Sequence, residues 1–400
     1  MARLLHVLGG GLWQVPTIRL ARAMGYDVLV SDIYAERPGY QFATKCVVAD
    51  IRDRDATLAI AQAAGVDGII CDTTDVGVTT AAYVAEAMNL RGIGCDVASG
   101  FTNKYLMRKR TSKAGVHNPR YTCIAVGEPV SESQLRDSIG WPLIVKPVDS
   151  QSSRGVSKVS EAGSLSAAVA LARDNSFSKD VIVEEWIQGT EVTVEAACYR
   201  GSVVTLGISD KEHYPDHPQV ASRLAYPADF PARVLEKITR VNEKVVHALG
   251  LATGVTHAEY LVTGNEDVYL VEIAARGGGS RVYSDIAPYL SGMDVPSAYI
   301  DWVMGSDGRW PAPAPGSRAA VLQFISAAAG TVRAVHGVAE ALALPGVREL
   351  QIEVLPGQRF AGAQDDRSRP GFAVIFGERR SEVLETARKV HETVRIEIES

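Results

Sequence analysis

Nowhere in the 400 residues does an apolar run reach the roughly eighteen needed to cross a bilayer, so the sequence offers no helical membrane span. Met1 to Trp13 holds one Arg and a brief apolar run broken by His6 ahead of three glycines, which reads as a strand entering a turn and not as a secretion signal. Cysteine is scarce and scattered. The five, Cys46, Cys71, Cys95, Cys123 and Cys198, are odd in number, form no Cys-x-x-Cys and have no paired histidines nearby. That argues against zinc or disulfide frameworks and for reduced thiols in a cytoplasmic protein. Short repeats and blocks of like charge are also missing. With 41 Lys and Arg against 47 Asp and Glu, the net charge of -6 gives no general attraction to nucleic acid or anionic lipid, so neither partner is expected. An anionic ligand must be held by a local arrangement.

What the chain has is apolar mass: 46 % apolar against 22 % charged residues supports buried cores rather than disorder. Four hundred residues exceed one ordinary core, so two or three domains are expected. Strand patterns at Leu4 to Leu8, Val28 to Ser31 and Gly68 to Cys71 alternate with helical patterns at Thr17 to Met24, Arg54 to Ala64 and Val76 to Met88. This predicts a parallel sheet with helices on its faces. Helix-like residues Asn103 to Ala114 lead to an α+β stretch: strands Tyr121 to Ala125 and Leu143 to Val148, a polar loop Asp149 to Gly155, a helix around Ser164 to Arg173, and paired strands from Val181 to Gly207. A long amphipathic helix from Ala232 to Leu249 precedes β-rich runs Thr256 to Val262 and Val268 to Ile273, and the Pro-rich run Trp310 to Pro315 reads as a linker to a last α+β segment.

Chemistry concentrates in a few places. His257-Ala258-Glu259-Tyr260-Leu261 and Tyr269-Leu270-Val271-Glu272-Ile273 each set a Glu in an apolar strand, and the five-residue turn between them lets a hairpin place both carboxylates on one face. Two buried unpaired carboxylates are costly, so each requires a cation. Mg²⁺ would serve both; the ordinary alternative is one Glu paired with Arg276 and the other in solvent. Lys146 ends an apolar strand and leads into Ser150-Gln151-Ser152-Ser153-Arg154-Gly155-Val156, a charge beside hydroxyl and backbone donors of the type a polyphosphate needs, or simply a solvated loop. Lys104 stands at the start of the helix from Asn103, where backbone amides add to its pull on a phosphate, or is an ordinary surface lysine. Glu184-Glu185-Trp186-Ile187 followed by Glu191 offers an adenine slot with a ribose acceptor, or a plain strand-turn-strand with solvent-facing acids.

In this order the segments resemble the ATP-grasp superfamily along most of the chain. The resemblance implies an α/β and α+β architecture: an N-terminal Rossmann-like domain (1–105), a central region with the lid (106–205), a metal- and substrate-binding region (206–308) and a C-terminal α+β segment (309–400). Lys104 and Lys146 match the phosphate-binding lysines, and Ser150 to Val156 the mobile loop over the triphosphate, with Ser150, Ser152, Ser153, Gly155 and Val156 as its contacts. Glu184, Glu185, Trp186 and Ile187 match the adenine hinge, Glu191 the ribose acid, and Glu259 and Glu272 the metal ligands. Arg276 matches the residue that steadies the reacting phosphoryl group. The implied cofactors are ATP and Mg²⁺, with Mn²⁺ as a substitute. The implied activity joins a small carboxylate to an amine through an acyl phosphate, with the L-amino-acid ligase branch nearest in appearance and a homodimer as the usual state.

Two departures stand out. The superfamily usually has Asn two residues after the second Glu; here that residue is Ala274, whose methyl cannot ligate. Gly277-Gly278-Gly279-Ser280 then follows Arg276 and permits close backbone approach, which makes Arg276, Gly278, Gly279 and Ser280 a candidate seat for a substrate carboxylate. His213, in the ionisable run Asp210 to Pro215, is a further substrate candidate or an ordinary loop histidine. Three rivals accompany the ligase reading. They are a bicarbonate-dependent carboxylase, a non-catalytic nucleotide binder motivated by Ala274, and an NAD(P) oxidoreductase suggested by Gly9 to Gly11 and Asp32. The last has Gln14 where the full fingerprint needs Gly.

Overall fold

The computed structural model describes residues 2–307, 310, 312–314 and 316–399. Strands β1 (Leu4–Leu8), β2 (Asp27–Asp32), β3 (Lys45–Val48) and β4 (Gly68–Ile70) form a parallel sheet ordered β3-β2-β1-β4. Helices α1 (Val15–Ala23), α2 (Arg54–Ala64) and α3 (Val78–Ala87) follow β1, β3 and β4. Every residue of β1 is buried, as expected of a parallel strand covered on both faces. β3 is an edge strand that the sequence pattern passes over, because none of its residues is buried. Next come α4 (Cys95–Thr102) and α5 (Lys104–Lys113). The Asn103 side chain accepts from Leu106 N at 3.0 Å, a cap that starts α5 at Lys104.

A small lobe follows: β5 (Tyr121–Ile124), α6 (Glu132–Ser138), β6 (Leu143–Pro147), β7 (Ser157–Val159), α7 (Leu165–Asp174) and β8 (Val181–Glu185). Its antiparallel sheet, β5-β8-β6-β7, buries Leu143, Val145, Val181 and Val183 against Leu165, Val169 and Ala172 of α7. The large body is one antiparallel sheet in which β9 (Thr190–Tyr199), β10 (Ser202–Tyr214), β11 (His217–Tyr226), β12 (Gly254–Val262), β13 (Val268–Ala274) and β14 (Ala319–Phe324) join two later strands. A three-stranded sheet packs β15 (Gly330–His336) between β17 (Arg359–Phe360) and β19 (Arg395–Glu399), while β16 (Val347–Ile352) and β18 (Gly371–Gly377) complete the large one in the order β13-β12-β9-β10-β11-β14-β18-β16. α8 (Ala232–Ala248) covers one face of the large sheet, and α9 (Ala287–Ser291), α10 (Val295–Val303), α11 (Val338–Leu342) and α12 (Arg380–Thr393) complete the helices. No helix among the described residues is long and apolar enough to cross a membrane.

Three sequence expectations are corrected. The strands expected to pair from Val181 to Gly207 divide: β8 ends the small lobe, while β9 and β10 pair with each other in the large sheet, so the divide falls after Glu185 and not at 205. The expected linker does not set the last α+β segment apart from the large sheet, since β14 pairs with β11, while β17-β15-β19 form a sheet of their own. The run expected as a linker begins with Trp310, which is buried and stacked on Tyr199 at 5.3 Å; Pro311 and Pro315 lie outside the described residues, as do Gly308 and Arg309 at the expected boundary.

The side-chain period of two divides the work of the large sheet. On β9 and β12, Val192, Val194, Ala258 and Tyr260 pack with Val234, Ile238 and Val245 of α8 in one core. The alternate residues Glu191, Thr193, Glu195, His257 and Glu259 emerge on the other face, toward the loops of the first domain.

Candidate active site

Glu259 and Glu272 are cross-strand partners on β12 and β13, so their carboxylates share a face. Each holds an ammonium: Lys211 Nζ lies 2.8 Å from Glu259, and Lys104 Nζ lies 2.9 Å from Glu272. Burial alone would raise the Glu259 carboxyl, but Lys211 and His257 outweigh it and hold the group well below the usual carboxylate range. Burial likewise opposes the charge on Lys104, and Glu272 reverses the balance, so Lys104 stays protonated. The anticipated pairing of one Glu with Arg276 does not occur. Arg276 instead makes a two-point contact with Asp75 at 2.9 and 3.0 Å, reaching across to the first domain.

Two cavities meet at Glu272. One, of ≈ 660 Å³, is lined by Glu259, Glu272, Arg276, Gly279, Ser280, Ser152 and Ser153, with Leu12, Trp13, Leu224 and Phe324 as apolar wall. The other, of ≈ 630 Å³, is lined by Lys104, Ser150, Asp75, Glu272 and Ala274. The loop between β6 and β7 closes over both. Ser150 O accepts from Lys104 Nζ at 2.6 Å, Gln151 Oε1 accepts from Asp75 N at 2.8 Å, and Ser153 Oγ donates to Gln219 O at 2.9 Å. Ser152 and Ser153 both take φ of 60°, the left-handed region that side chains usually avoid.

Most other candidates lie outside these cavities, although Asp32 lines the larger one. Lys146 turns to Glu184 at 2.7 Å, and Arg108 Nε donates to the same carboxylate at 2.8 Å, so Glu184 is the centre of a buried triad and not an open hinge group. Burial would raise Glu184, but its two cations bring it down to about 2; burial lowers Lys146 despite that partner. Glu185 pairs with Arg120 at 3.0 Å, Trp186 N donates to Pro142 O at 3.2 Å, and the Lys158 ammonium covers the Trp186 ring at 3.9 Å. Glu185, Trp186 and Ile187 line neither cavity, nor do Gly155 and Val156. Glu191 accepts from Lys211 at 2.7 Å and meets His213 at 3.1 Å, and neither acid nor imidazole faces the cavities. The expected loop around His213 is corrected: the residue lies on β10, which runs on to Tyr214. Gly278 is enclosed, with Val282 2.8 Å and His257 Nδ1 3.0 Å from where its Cβ would stand. Asp32 is bound by Gly10 N at 2.9 Å, Tyr34 N at 3.1 Å and Arg37 at 2.9 Å, which occupies the acid that a dinucleotide ribose would need.

Several site groups were passed over in the sequence. Lys211 continues the alternation of Ser209 on β10, beyond Gly207 where the sequence pattern ends the paired strands. His257, two residues before Glu259, shares its face, and Nδ1 lies 2.6 Å from buried Glu195. Burial would lower His257, yet Glu195 raises it to about 9. Asp75 and Arg108 carried no local signal, since their partners are distant in sequence. Among the described residues no three His, Cys, Asp or Glu side chains are already gathered as a metal site. Even so, two facing carboxylates that each hold a cation are the oxygen donors a hard divalent ion takes, so this donor set fits Mg²⁺.

Residues 139–284 match the ATP-grasp domain family. The chain carries an ATP-grasp domain. Behind it, residues 323–399 match L-amino acid ligase C-terminal domain 2. Over nearly its whole length the chain is similar to a formate-dependent phosphoribosylglycinamide formyltransferase of Methanocaldococcus jannaschii, at 25 % identity covering 98 % of this chain and 96 % of that one. A D-alanine--D-alanine ligase of Pelobacter propionicus is 28 % identical over 68 % of this chain and 85 % of its own. The crystal structure of an L-amino acid ligase from Bacillus licheniformis superposes with a TM-score of 0.83 at 21 % identity, covering 100 % of this chain and 99 % of that one, a likeness of fold. Carboxylate–amine ligases are thus named among the relatives of this chain.

Proposed function

We propose that the protein is an ATP-dependent carboxylate–amine ligase that makes an amide or dipeptide-like product from small-molecule substrates, releasing ADP and phosphate. The observation that carries this reading is the facing pair Glu259 and Glu272, each neutralised by a buried lysine, where the two cavities meet. Bound ATP would supply the phosphoryl group that activates the acid, and Glu259 and Glu272 would hold Mg²⁺ or Mn²⁺ to neutralise the charge that develops there.

The chain's own part is control of charge and water. A carboxylate and a triphosphate repel, and Lys104, Lys211 and Arg276 offset that repulsion on the side where both approach. Asp75 fixes the Arg276 guanidinium so that its remaining N–H groups are oriented before substrate arrives. Lys146 and Glu184 tie the adjacent lobe strands β6 and β8 together through their buried ion pair. The serine loop shields an acyl phosphate, which water would destroy. Gly279 and Ser280 leave the larger cavity open beside Arg276 for a substrate carboxylate, and the wall of Leu12, Trp13, Leu224 and Phe324 suits an apolar side chain.

The test is an ADP-release screen over amino acids and other small carboxylates, singly and in pairs, with mass detection of the product. Release that requires an acid and an amine together, with an amide mass, is expected. Release that requires bicarbonate and one amine would replace the ligase by a carboxylase, and ATP binding with no turnover for any pair would leave a nucleotide binder.

A further inference from the structure

Ala274 leaves one corner of a four-residue arrangement without a polar atom. On β12, positions 257 and 259 share a face, and their cross-strand partners on β13 are 274 and 272. Glu259 and Glu272 fill two corners, Ala274 is the methyl, and His257 stands directly across from it. The His257 ring is fixed: Nδ1 lies 2.6 Å from Glu195 Oε1, a carboxylate whose side chain is only 2 % exposed, and Gly278 packs against the ring at that edge. Nε2, the ring's other polar atom, therefore points toward Glu259 Oε1 at 3.7 Å, on the wall of the larger cavity. A buried carboxylate that binds one ring nitrogen and aims the other is how proteins orient an imidazole toward an ion.

We propose that His257 Nε2 is the third protein ligand of the divalent cation held by Glu259 and Glu272, supplying the interaction that Ala274 cannot. The proposal rests on the reading of this face as a nucleotide and cation site. Glu195 is a positioning residue. A nitrogen ligand moves preference from Mg²⁺ toward later ions of the first transition row.

The test uses the full chain with ADP and Mn²⁺. Pulsed electron paramagnetic resonance should detect a directly bonded nitrogen that changes isotope in protein labelled with ¹⁵N-histidine and disappears in His257→Gln. Mn²⁺ titrations should show about tenfold or greater weakening in His257→Gln and in Glu195→Gln, with recovery in His257→Gln combined with Ala274→Asn. The labelled wild type decides the matter even where a variant fails to fold. Mn²⁺ bound with ADP in a manner that needs Glu272 but shows no nitrogen coupling overturns the ligand and leaves the nucleotide site standing. Mn²⁺ binding indifferent to Glu272→Gln overturns both.

Discussion

Lys104 and Glu272 sit 2.9 Å apart although 168 positions separate them in the chain, and the contact joins the start of α5 to the last strand of the hairpin. It places the N-terminal amides of α5, the serine loop and the carboxylate pair around one point. Glu272→Gln removes the carboxylate while keeping its shape. ADP release with the true substrates should fall by about 100-fold or more, while the thermal midpoint changes little. Full turnover in the variant would remove Glu272 from the site.

Lys211 bridges Glu191 and Glu259. Lys211→Met should leave both acids without their ammonium, lowering turnover by about 100-fold and making the protein more dependent on divalent ion for stability. Melting curves with and without Mg²⁺ check this: the ion-dependent gain should exceed that of the wild type.

Arg108, Glu184 and Lys146 form a buried charge triad that also includes Arg108 Nη2 donating to Val271 O at 2.7 Å. Glu184→Ala leaves two buried cations unpaired and should cost about 3–5 kcal/mol. Because the folded Glu184 carboxyl is held at about 2, below its ordinary 4.5, its contribution is complete above pH 4.5 and is lost as pH falls through 2. Urea titrations should show that acid-side decline in the wild type and a flatter one in the variant.

Asp72 is the opposite case. It is wholly buried beside the Thr17 hydroxyl, and burial pushes it from 3.8 to about 6. Ionising it therefore weakens the fold as pH rises from about 4 through 6. Asp72→Asn should gain on the order of 2–3 kcal/mol over the wild type at pH 7 and nothing at pH 3. Parallel stability curves from pH 4 to 6.5 would refute this.

Gly277 and Gly279 should respond differently to the same change. A Cβ at Gly277 would fall 2.3 Å from the Tyr283 ring, while one at Gly279 meets nothing within 4 Å. Gly277→Ala should destabilise by about 1–3 kcal/mol and disturb Arg276, whereas Gly279→Ala should keep the melting temperature and alter only substrate preference.

The elements were legible where periodicity is strong. Arg54 to Ala64 and Val268 to Ala274 follow their apolar patterns, and α5 begins where Asn103 can cap it. The facing pair Glu259 and Glu272 was legible because a short hairpin fixes its own register. Partnerships made through tertiary folding were not. Nothing near Arg276 announces Asp75, and nothing near Glu184 announces Arg108, because a charged side chain in sequence does not carry the address of its partner. Lys211 and His257 were legible in principle, since each lies two positions from a residue already on the site face.

The hydrogen bonding that runs unbroken from β13 to β16 has a mechanical consequence. β11 has β10 on one side and β14 on the other, so trimming the protein after the hairpin exposes the backbone donors and acceptors of Arg223 to Tyr226 on β11. The N-terminal two thirds, produced alone, should clump into oligomers rather than persist as a smaller enzyme, and the tail is in that sense a structural rib of the catalytic body.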